Sequence, residues 1–307
     1  MKSKFELKAR KQAEMSNKAE VEEREAFRFA YELLDFGDGR KLERFAGKTL
    51  DRPSPAAQRI PRQQREAWKS ADFVFRNKPA SAWSDEKSPE EWHFCWKSVV
   101  MELRLSPYGH VGLFPEQIAN WRWLQNLAFT IEPNRSPKAL NLFGYTGGST
   151  LAMAEAGFQL THVDASRPTV HWARRNAQLS GMDSAAIRWI VDDVRDFVKR
   201  EIKRDERYDV ILMDPPAYGH GADGKGWELT RDLEDLVADC LELLTSKPTA
   251  LLLTGHSPVA SIEKGPLSSK SWDQLKTRFG QVSKHRVSLA DPTLRKLDFG
   301  YAYRFWT

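Results

Sequence analysis

The stretch YDVILMDPPAYGHG, residues Tyr208–Gly221, decides the fold of this chain. An apolar run with strand character ends in an aspartate and two prolines, and glycines follow. Proline has no backbone N–H and fixes φ at about −65°, so the strand stops there and the adjoining backbone is held rigidly. A short apolar run bounded by such breakers predicts a strand buried on both faces of a sheet.

Similar apolar runs lie before and after this stretch and alternate with amphipathic helical segments. They are ALNLF (139–143), QLTHV (159–163), AIRWIV (186–191) and ALLLT (250–254). This alternation predicts a parallel sheet with helices on both faces. At the end of the chain, QVSKHRVSLADP (281–292) and LDFGYAYRFW (297–306) follow each other without a helix. They predict an antiparallel hairpin at one edge, so the fold class is α/β, Rossmann-like and mostly parallel.

Three regions are predicted along the chain. Residues 1–30 alternate charges at helical spacing and predict an exposed helix, residues 31–113 predict a small β-rich subdomain, and residues 114–307 predict the α/β domain. Gly37-Asp38-Gly39 lies between two strand candidates and predicts a hairpin turn. Four tryptophans of the β-rich region are predicted to pack its thin core rather than to stack on bases: Trp68, Trp83, Trp92 and Trp96.

The composition, with 41% hydrophobic and 29% charged residues in 307, is that of a globular protein. No apolar run approaches the roughly 18 residues of a membrane span, and the N-terminus lacks an apolar signal core, so a cytoplasmic protein is predicted. Cys95 and Cys240 are the only cysteines and lack metal-ligand spacing. We therefore expect neither a disulfide nor a metal site.

Basic residues are concentrated in one segment. The net charge is +5, and residues 52–78 contain seven basic residues against two acidic ones. Such a segment is either a solvated surface or a face for a polyanion such as RNA. The sequence leaves these two interpretations open.

Ligands of an open parallel sheet bind at the carboxyl ends of its strands. The first strand is followed by Phe143-Gly144-Tyr145-Thr146-Gly147-Gly148, whose glycines permit a tight turn but do not have the dinucleotide spacing. The second ends in Asp164, 20 residues after Gly144. Its carboxylate could accept both hydroxyls of a ribose, or it could cap the next helix, a role that Ser166 could also fill.

The third and fourth strands also end in carboxylates. Of Asp192 and Asp193, one is predicted to bind an adenine amino group and the other to cap the next helix, and Asp193 is preferred for the ligand. Asp214 is predicted to accept an N–H of the substrate, and Tyr218 to stack on a flat ring. Residues 219–226, with four glycines, have the composition of a flap.

These motifs resemble the class I S-adenosylmethionine-dependent methyltransferases, and more narrowly the bacterial large-subunit ribosomal RNA methyltransferases with Phe-x-Tyr-Thr-Gly-Gly and Asp-Pro-Pro-x-Phe/Tyr motifs. The resemblance rests on LNLFGYTGGSTLAMAEAG, HVDASRPTVHWARRNAQLSG, VDDVRDF and DVILMDPPAY, and covers roughly residues 105–255. It implies a seven-stranded sheet, S-adenosyl-L-methionine as cofactor and RNA as partner.

Carried over residue by residue, the resemblance implies a set of cofactor-binding residues and a set of residues at the reacting centre. The cofactor-binding residues are Phe143, Gly144, Tyr145, Thr146, Gly147, Asp164, Ala165, Asp192, Asp193 and Asp214. The residues that face the methyl group and the substrate are Asp214, Pro215, Pro216 and Tyr218.

This sequence departs from relatives that methylate cytosine carbon through a cysteine after the fifth strand. It has Leu253-Thr254-Gly255-His256-Ser257-Pro258 there. A neutral serine hydroxyl is a much weaker nucleophile than a thiolate, so the methyl acceptor is predicted to be nitrogen. The alternatives are a methyltransferase acting on protein or a small molecule, a nicotinamide-dependent oxidoreductase, and a non-catalytic RNA-binding or assembly protein with a retained cofactor fold.

Overall fold

The computed structural model describes residues 30–78, 81–85, 89–128, 131, 136–219, 226–256 and 265–307. Except for Ala30, the helix predicted for residues 1–30 lies outside them. The chain divides into two compact units. The first comprises Met1–Val111 with Asp291–Leu294, and the second comprises Gly112–Ala290 with Arg295–Thr307. The division thus falls two residues before the predicted one, and a four-residue segment of the predicted α/β domain joins the first unit.

The first unit is rich in strands, as predicted. A five-stranded sheet contains β1 (Tyr31–Gly37), β2 (Arg40–Phe45), β3 (Lys48–Pro53), β4 (Phe73–Lys78) and β5 (Ser81–Trp83) in that order, and a separate hairpin contains β6 (His93–Trp96) and β7 (Val99–Glu102). The short helix α1 (Arg65–Trp68) follows β3. Strands β1 and β2 are antiparallel, and Asp38 and Gly39 both have positive φ, which confirms the predicted hairpin turn.

The four tryptophans of this unit are buried, with at most 7% of each exposed, which confirms that they pack its core. Three of the indole N–H groups donate hydrogen bonds within the unit: Trp68 to Asp35, Trp83 to the Ser106 carbonyl and Trp92 to the Phe45 carbonyl. Buried rings with satisfied N–H groups stabilise a thin layer that has few aliphatic residues to bury.

The second unit has the predicted α/β architecture. Its strands are β8 (Lys138–Leu142), β9 (Gln159–Asp164), β10 (Ile187–Val191), β11 (Val210–Met213), β12 (Tyr218–Gly219), β13 (Trp227–Glu228), β14 (Ala250–Gly255), β15 (Gln281–Ala290) and β16 (Lys296–Trp306). Its helices are α2 (Ile118–Leu127), α3 (Gly148–Glu155), α4 (Arg167–Leu179), α5 (Val194–Lys203), α6 (Leu229–Glu242) and α7 (Ser269–Phe279).

Seven of these strands form one sheet in the order β10-β9-β8-β11-β14-β16-β15. Strands β10, β9, β8, β11 and β14 are parallel, and β16 is antiparallel to both of its neighbours, which confirms the predicted edge hairpin. Strands β8, β11 and β14 are almost wholly buried, because the apolar sides of the amphipathic helices cover both faces of the sheet. Among the described helices, none has the length and apolar character that crossing a membrane requires.

Candidate active site

The strand order reverses between β8 and β11. The chain proceeds outward from β8 through β9 to β10, and then returns to the other side of β8 to form β11 and β14. Such a reversal opens a crevice at the carboxyl ends of the two central strands, where ligands of this sheet type bind. The loops after β8, β9, β10, β11 and β14 carry the polar residues of the second unit's candidate site.

The loop after β8 has an unusual backbone. Phe143, Tyr145 and Gly147 all have positive φ, at 57°, 50° and 89°. Two of them carry side chains, which rarely adopt this conformation, so the loop is held by surrounding contacts. The Gly144 N–H donates to the Val163 carbonyl at 3.0 Å, and the Thr146 hydroxyl donates to the Gly112 carbonyl at 2.6 Å. These contacts hold the loop at the carboxyl end of β8, directly before the start of α3.

Asp164 holds this loop to the next one. Its carboxylate accepts the backbone N–H of Tyr145 at 2.9 Å and that of Ser166 at 2.9 Å. Burial raises the pKa of Asp164, and these two hydrogen bonds offset only part of that effect. Since a carboxylate has about four acceptor positions, two remain for a ligand. Ser166, rather than Asp164, caps α4 by accepting the Thr169 N–H, and half-buried Ala165 lies between them.

His162 lies directly below Gly144 and was not predicted as part of the site. It is fully buried, and its Nδ1 is 2.9 Å from the Thr150 hydroxyl. A Cβ on Gly144 would lie 2.4 Å from its ring, so only glycine fits there. Burial lowers the pKa of His162 to about 3, and the ring is therefore neutral.

Asp193 lies at the start of the helix after β10. It is the cap of α5, because its Oδ1 accepts the Arg195 N–H at 2.8 Å, and it also pairs with the Arg195 guanidinium at 2.7 Å. Burial acts to raise the pKa of Asp193, but Arg195 outweighs it and the pKa is lowered. The prediction that Asp192 is the cap is wrong. Asp192 is half-buried after β10 and pairs with Arg200.

Asp214 is the most connected carboxylate of the crevice. Its Oδ1 accepts the Thr254 hydroxyl, its Oδ2 lies 3.3 Å from the Gln117 amide nitrogen, and His256 Nε2 lies 3.1 Å from Oδ1 and 3.3 Å from Oδ2. Burial acts to raise the pKa of Asp214, but the His256 charge and these hydrogen bonds outweigh it and lower the pKa. Asp214 is therefore an ionised acceptor.

The prolines after Asp214 direct the chain outward. Pro215 is buried and Pro216 is exposed, and the Pro216 carbonyl accepts the Trp227 indole N–H at 2.7 Å. Strand β12 then pairs with β13, and Tyr218 is 76% exposed. An exposed aromatic ring can stack on a flat substrate. Of the predicted flap, residues 220–225 lie outside the described residues.

A row of rings connects the loops after β8 and β14. The Phe114 ring centroid lies 5.3 Å from that of Tyr145 and 5.4 Å from that of His256. Sequence reasoning assigned no role to Gln117, Thr254 or His256. The rule that ligands bind after parallel strands could have found Thr254, near the end of β14, and His256, directly after it. No sequence signal connects Gln117 to Asp214.

The position of Cys240 confirms the prediction that this side chain is packed inside the protein. It lies in α6 and is wholly buried in the apolar core of the second unit. Burial raises the pKa of its thiol well above the usual range, so it remains a protonated, inert side chain.

Known proteins are similar to this chain in both sequence and fold. The model of a family described as S-adenosylmethionine-dependent methyltransferases matches residues 45–262. The crystal structure of a SAM-dependent methyltransferase from Agrobacterium tumefaciens is 34% identical, with a TM-score of 0.81 and 90% of each chain covered.

Two curated relatives are similar over shorter segments. Ribosomal RNA large subunit methyltransferase K/L of Hahella chejuensis is 31% identical over 144 residues, which are 46% of this chain and 19% of that protein. Ribosomal RNA large subunit methyltransferase K of Neisseria meningitidis is 32% identical over 109 residues, which are 35% of this chain and 31% of that protein. The matched segments thus span less than a third of the length of these two relatives.

Proposed function

Since this chain belongs to the family of S-adenosylmethionine-dependent methyltransferases, we propose that it methylates a nucleobase nitrogen in RNA, with ribosomal RNA as the favoured substrate. The observation that carries the proposal is an ionised Asp214, held by hydrogen bonds at the end of β11, followed in the same loop by the exposed ring of Tyr218. An acceptor beside a stacking surface suits a flat heterocycle that bears an N–H. The two curated relatives are named as methyltransferases of ribosomal RNA, which supports RNA over other acceptors.

The residues of the crevice fit S-adenosylmethionine. Asp164 has two acceptor positions left after its backbone hydrogen bonds, which suits the two hydroxyls of a ribose. The loop 143–147 would hold the methionine end, and Asp192 would accept the adenine amino group because Asp193 already caps α5. When bound, the cofactor supplies a methyl group activated by its sulfonium.

On the substrate side, the protein's task is to position and orient. Asp214 has about one acceptor position left for a substrate N–H after its three protein donors. Buried Pro215 holds this carboxylate at the end of β11, and Pro216 holds Trp227 and thereby the strand that carries Tyr218. Holding the methyl donor and the acceptor in line lowers the activation free energy of such a transfer by several kcal/mol.

Within the basic segment 52–78, several of the positive charges are buried or paired with carboxylates. Arg52 is buried and paired with Glu43 at 2.6 Å, and Lys69 pairs with Glu66 at 2.7 Å. Arg62 is half-buried over the Trp68 ring. Three arginines of the segment are exposed and are the proposed phosphate contacts: Arg59, Arg65 and Arg76.

We place the reaction in the cytoplasm, because the proposed substrate is ribosomal RNA. The test is incubation of the protein with methyl-labelled S-adenosylmethionine and total RNA, protein and small molecules from cells that lack its gene. We expect label in ribosomal RNA, and nucleoside mass spectrometry to identify an N-methylated base. Label in protein or small molecules would retain methyl transfer and overturn the RNA assignment.

Two variants assign the site by separating binding from turnover. Asp164→Ala should abolish cofactor binding in calorimetric titration, whereas Asp214→Ala should bind the cofactor and fail to transfer the methyl group. Asp205→Ala is the matched control, since Asp205 is an exposed carboxylate in the turn after α5. Full methyl transfer by Asp214→Ala would contradict the assignment.

A further inference from the structure

Trp227 contacts two loops of the second unit, the loop after β11 and the loop after β8. It is 5% exposed, and its indole N–H donates to the Pro216 carbonyl at 2.7 Å. The centroid of its ring lies 4.8 Å from that of Phe143, and the two ring planes are inclined at 62°. An edge-to-face pair of aromatic rings stabilises the contact beyond the burial of the rings alone. A single side chain therefore connects the loop of the proposed acceptor residues to the loop 143–147.

The hydrogen bond to the Pro216 carbonyl bears on the substrate side. Pro216 lies midway between Asp214 and Tyr218 in the sequence, two residues from each. A proline ring fixes φ but leaves ψ free, and ψ sets the direction of the carbonyl. A donor that holds this carbonyl therefore restricts ψ as well. Trp227 thus fixes the backbone between the carboxylate and the exposed ring.

The hairpin of β12 and β13 gives Trp227 a second connection to Tyr218. Tyr218 is the antiparallel partner of Glu228, which directly follows Trp227. The Leu229 N–H also donates to the Ala217 carbonyl at 3.0 Å. The backbone that carries the Tyr218 ring is therefore paired with the strand that carries the indole.

A further attachment of this hairpin does not depend on the indole N–H. Asp232 of α6 accepts the Glu228 N–H at 2.9 Å and pairs with Arg195 at 3.1 Å. Arg195 in turn pairs with Asp193, which caps α5, at 2.7 Å. We therefore expect β13 and the start of α6 to keep their places when the indole N–H is removed. Removing it would isolate the contact with Pro216.

We propose that Trp227 is a positioning residue of the methyl transfer, an inference that rests on the proposed function. Its N–H fixes the Pro216 carbonyl, and its ring attaches this contact to the loop 143–147 through Phe143. Being buried, Trp227 acts through Tyr218, whose ring it holds in place relative to the loop that would bind the methyl donor. Positioning is the main contribution that a protein can make to transfer from an activated sulfonium.

The experiment measures single-turnover methyl transfer to ribosomal RNA from cells that lack the gene. Trp227→Phe retains an aromatic ring for the contact with Phe143 and removes the N–H. Trp92→Phe is the matched control, because Trp92 is 4% exposed and its N–H donates to the Phe45 carbonyl at 2.9 Å within the first unit. We expect Trp227→Phe to be about 10-fold slower at saturating RNA and to bind S-adenosylmethionine with the wild-type affinity. Trp92→Phe should transfer at the wild-type rate, although it also loses a buried hydrogen bond.

A double-mutant cycle separates positioning from packing. If Trp227 acts through Tyr218, then Trp227→Phe should slow the variant Tyr218→Ala by less than about twofold, because the ring to be positioned is gone. A residue that only stabilises the fold would slow the wild type and Tyr218→Ala by the same factor.

A second readout uses the wild-type protein and does not depend on turnover. In nitrogen-15 spectra, S-adenosylhomocysteine, the demethylated cofactor, should shift the indole resonance of Trp227 through the contact with Phe143. The indole resonance of Trp92 should stay in place.

Three results would overturn the inference while methyl transfer to RNA stands. They are a wild-type rate in Trp227→Phe, an equal slowing of the wild type and Tyr218→Ala, and a Trp227 resonance that S-adenosylhomocysteine does not shift. Absence of label in RNA with the wild type would instead contradict the proposed function.

Discussion

Replacing His162 by glutamine should make the protein more resistant to acid. The wild-type ring is fully buried under Gly144, with Nδ1 2.9 Å from the Thr150 hydroxyl. Burial lowers its pKa to about 3, so the folded protein cannot take up a proton there at mildly acidic pH. Glutamine can still bond to the Thr150 hydroxyl and does not titrate.

The sign and the size of the effect follow from proton linkage. In the unfolded chain this histidine has a pKa of about 6.5, so between about pH 6.5 and pH 3 the unfolded state binds one more proton than the folded state. The free energy of unfolding therefore falls as the pH drops below about 6.5 and is unaffected above it. Between pH 8 and pH 5 the loss is about 2 kcal/mol, from 1.5 units at about 1.4 kcal/mol per unit.

Urea unfolding at pH 8 and pH 5 measures this loss. The difference in unfolding free energy between His162→Gln and wild type should shift by about 2 kcal/mol in favour of the variant at the lower pH. His171→Gln is the control, because His171 is exposed on α4 and its replacement should leave the acid dependence unchanged. If His162→Gln loses as much free energy as the wild type, the buried ring is not the proton-excluding group and the reasoning fails.

Gly144→Ala should push its Cβ into the His162 ring, destabilise the protein by about 1–3 kcal/mol in urea unfolding, and weaken cofactor binding in calorimetric titration. Asp193→Ala should cost about 1 kcal/mol more than Asp193→Asn in urea unfolding, because asparagine retains the cap of α5; equal losses would contradict the capping role. Arg52→Met should destabilise the protein by less than the roughly 3–5 kcal/mol of a fully unpaired buried charge, because buried Glu43 keeps Lys41 as a partner; adding Glu43→Leu should recover most of the loss, as thermal unfolding would show.

The parts of the fold that were predicted correctly depend on neighbours in the sequence. The apolar run at 208–213 ends at Asp214 because proline cannot continue a strand, and the parallel sheet follows from repeated apolar runs with helices between them. The C-terminal pair was predicted because its two strands follow each other without a helix. Each of these features is visible within a window of some tens of residues.

The role of a polar residue was predictable only where its partner is near in sequence. Asp192 and Asp193 are adjacent and of the same type, so the pattern did not distinguish the cap of α5 from the other carboxylate; the geometry of the first turn of α5 assigned the cap to Asp193. The sequence analysis included Arg52 in the basic segment 52–78. In the structure, the pairing of β2 with β3 brings Arg52 to buried Glu43. A charge pattern along the chain carries no information on such a contact.

Local sequence was therefore sufficient for the sheet, its edge hairpin and the acidic residues at the strand ends, because hydrophobic period and backbone stiffness act over neighbouring residues. The residues that contact these acids are distant in sequence and reach them only in the folded protein. Thr254 and His256 meet Asp214 across 40 and 42 positions, and Gln117 meets it across 97. Packing of parallel strands brings their carboxyl ends to one edge of the sheet. The hydrogen bonds of Asp214 with Thr254 and His256 therefore form only once β11 and β14 lie side by side.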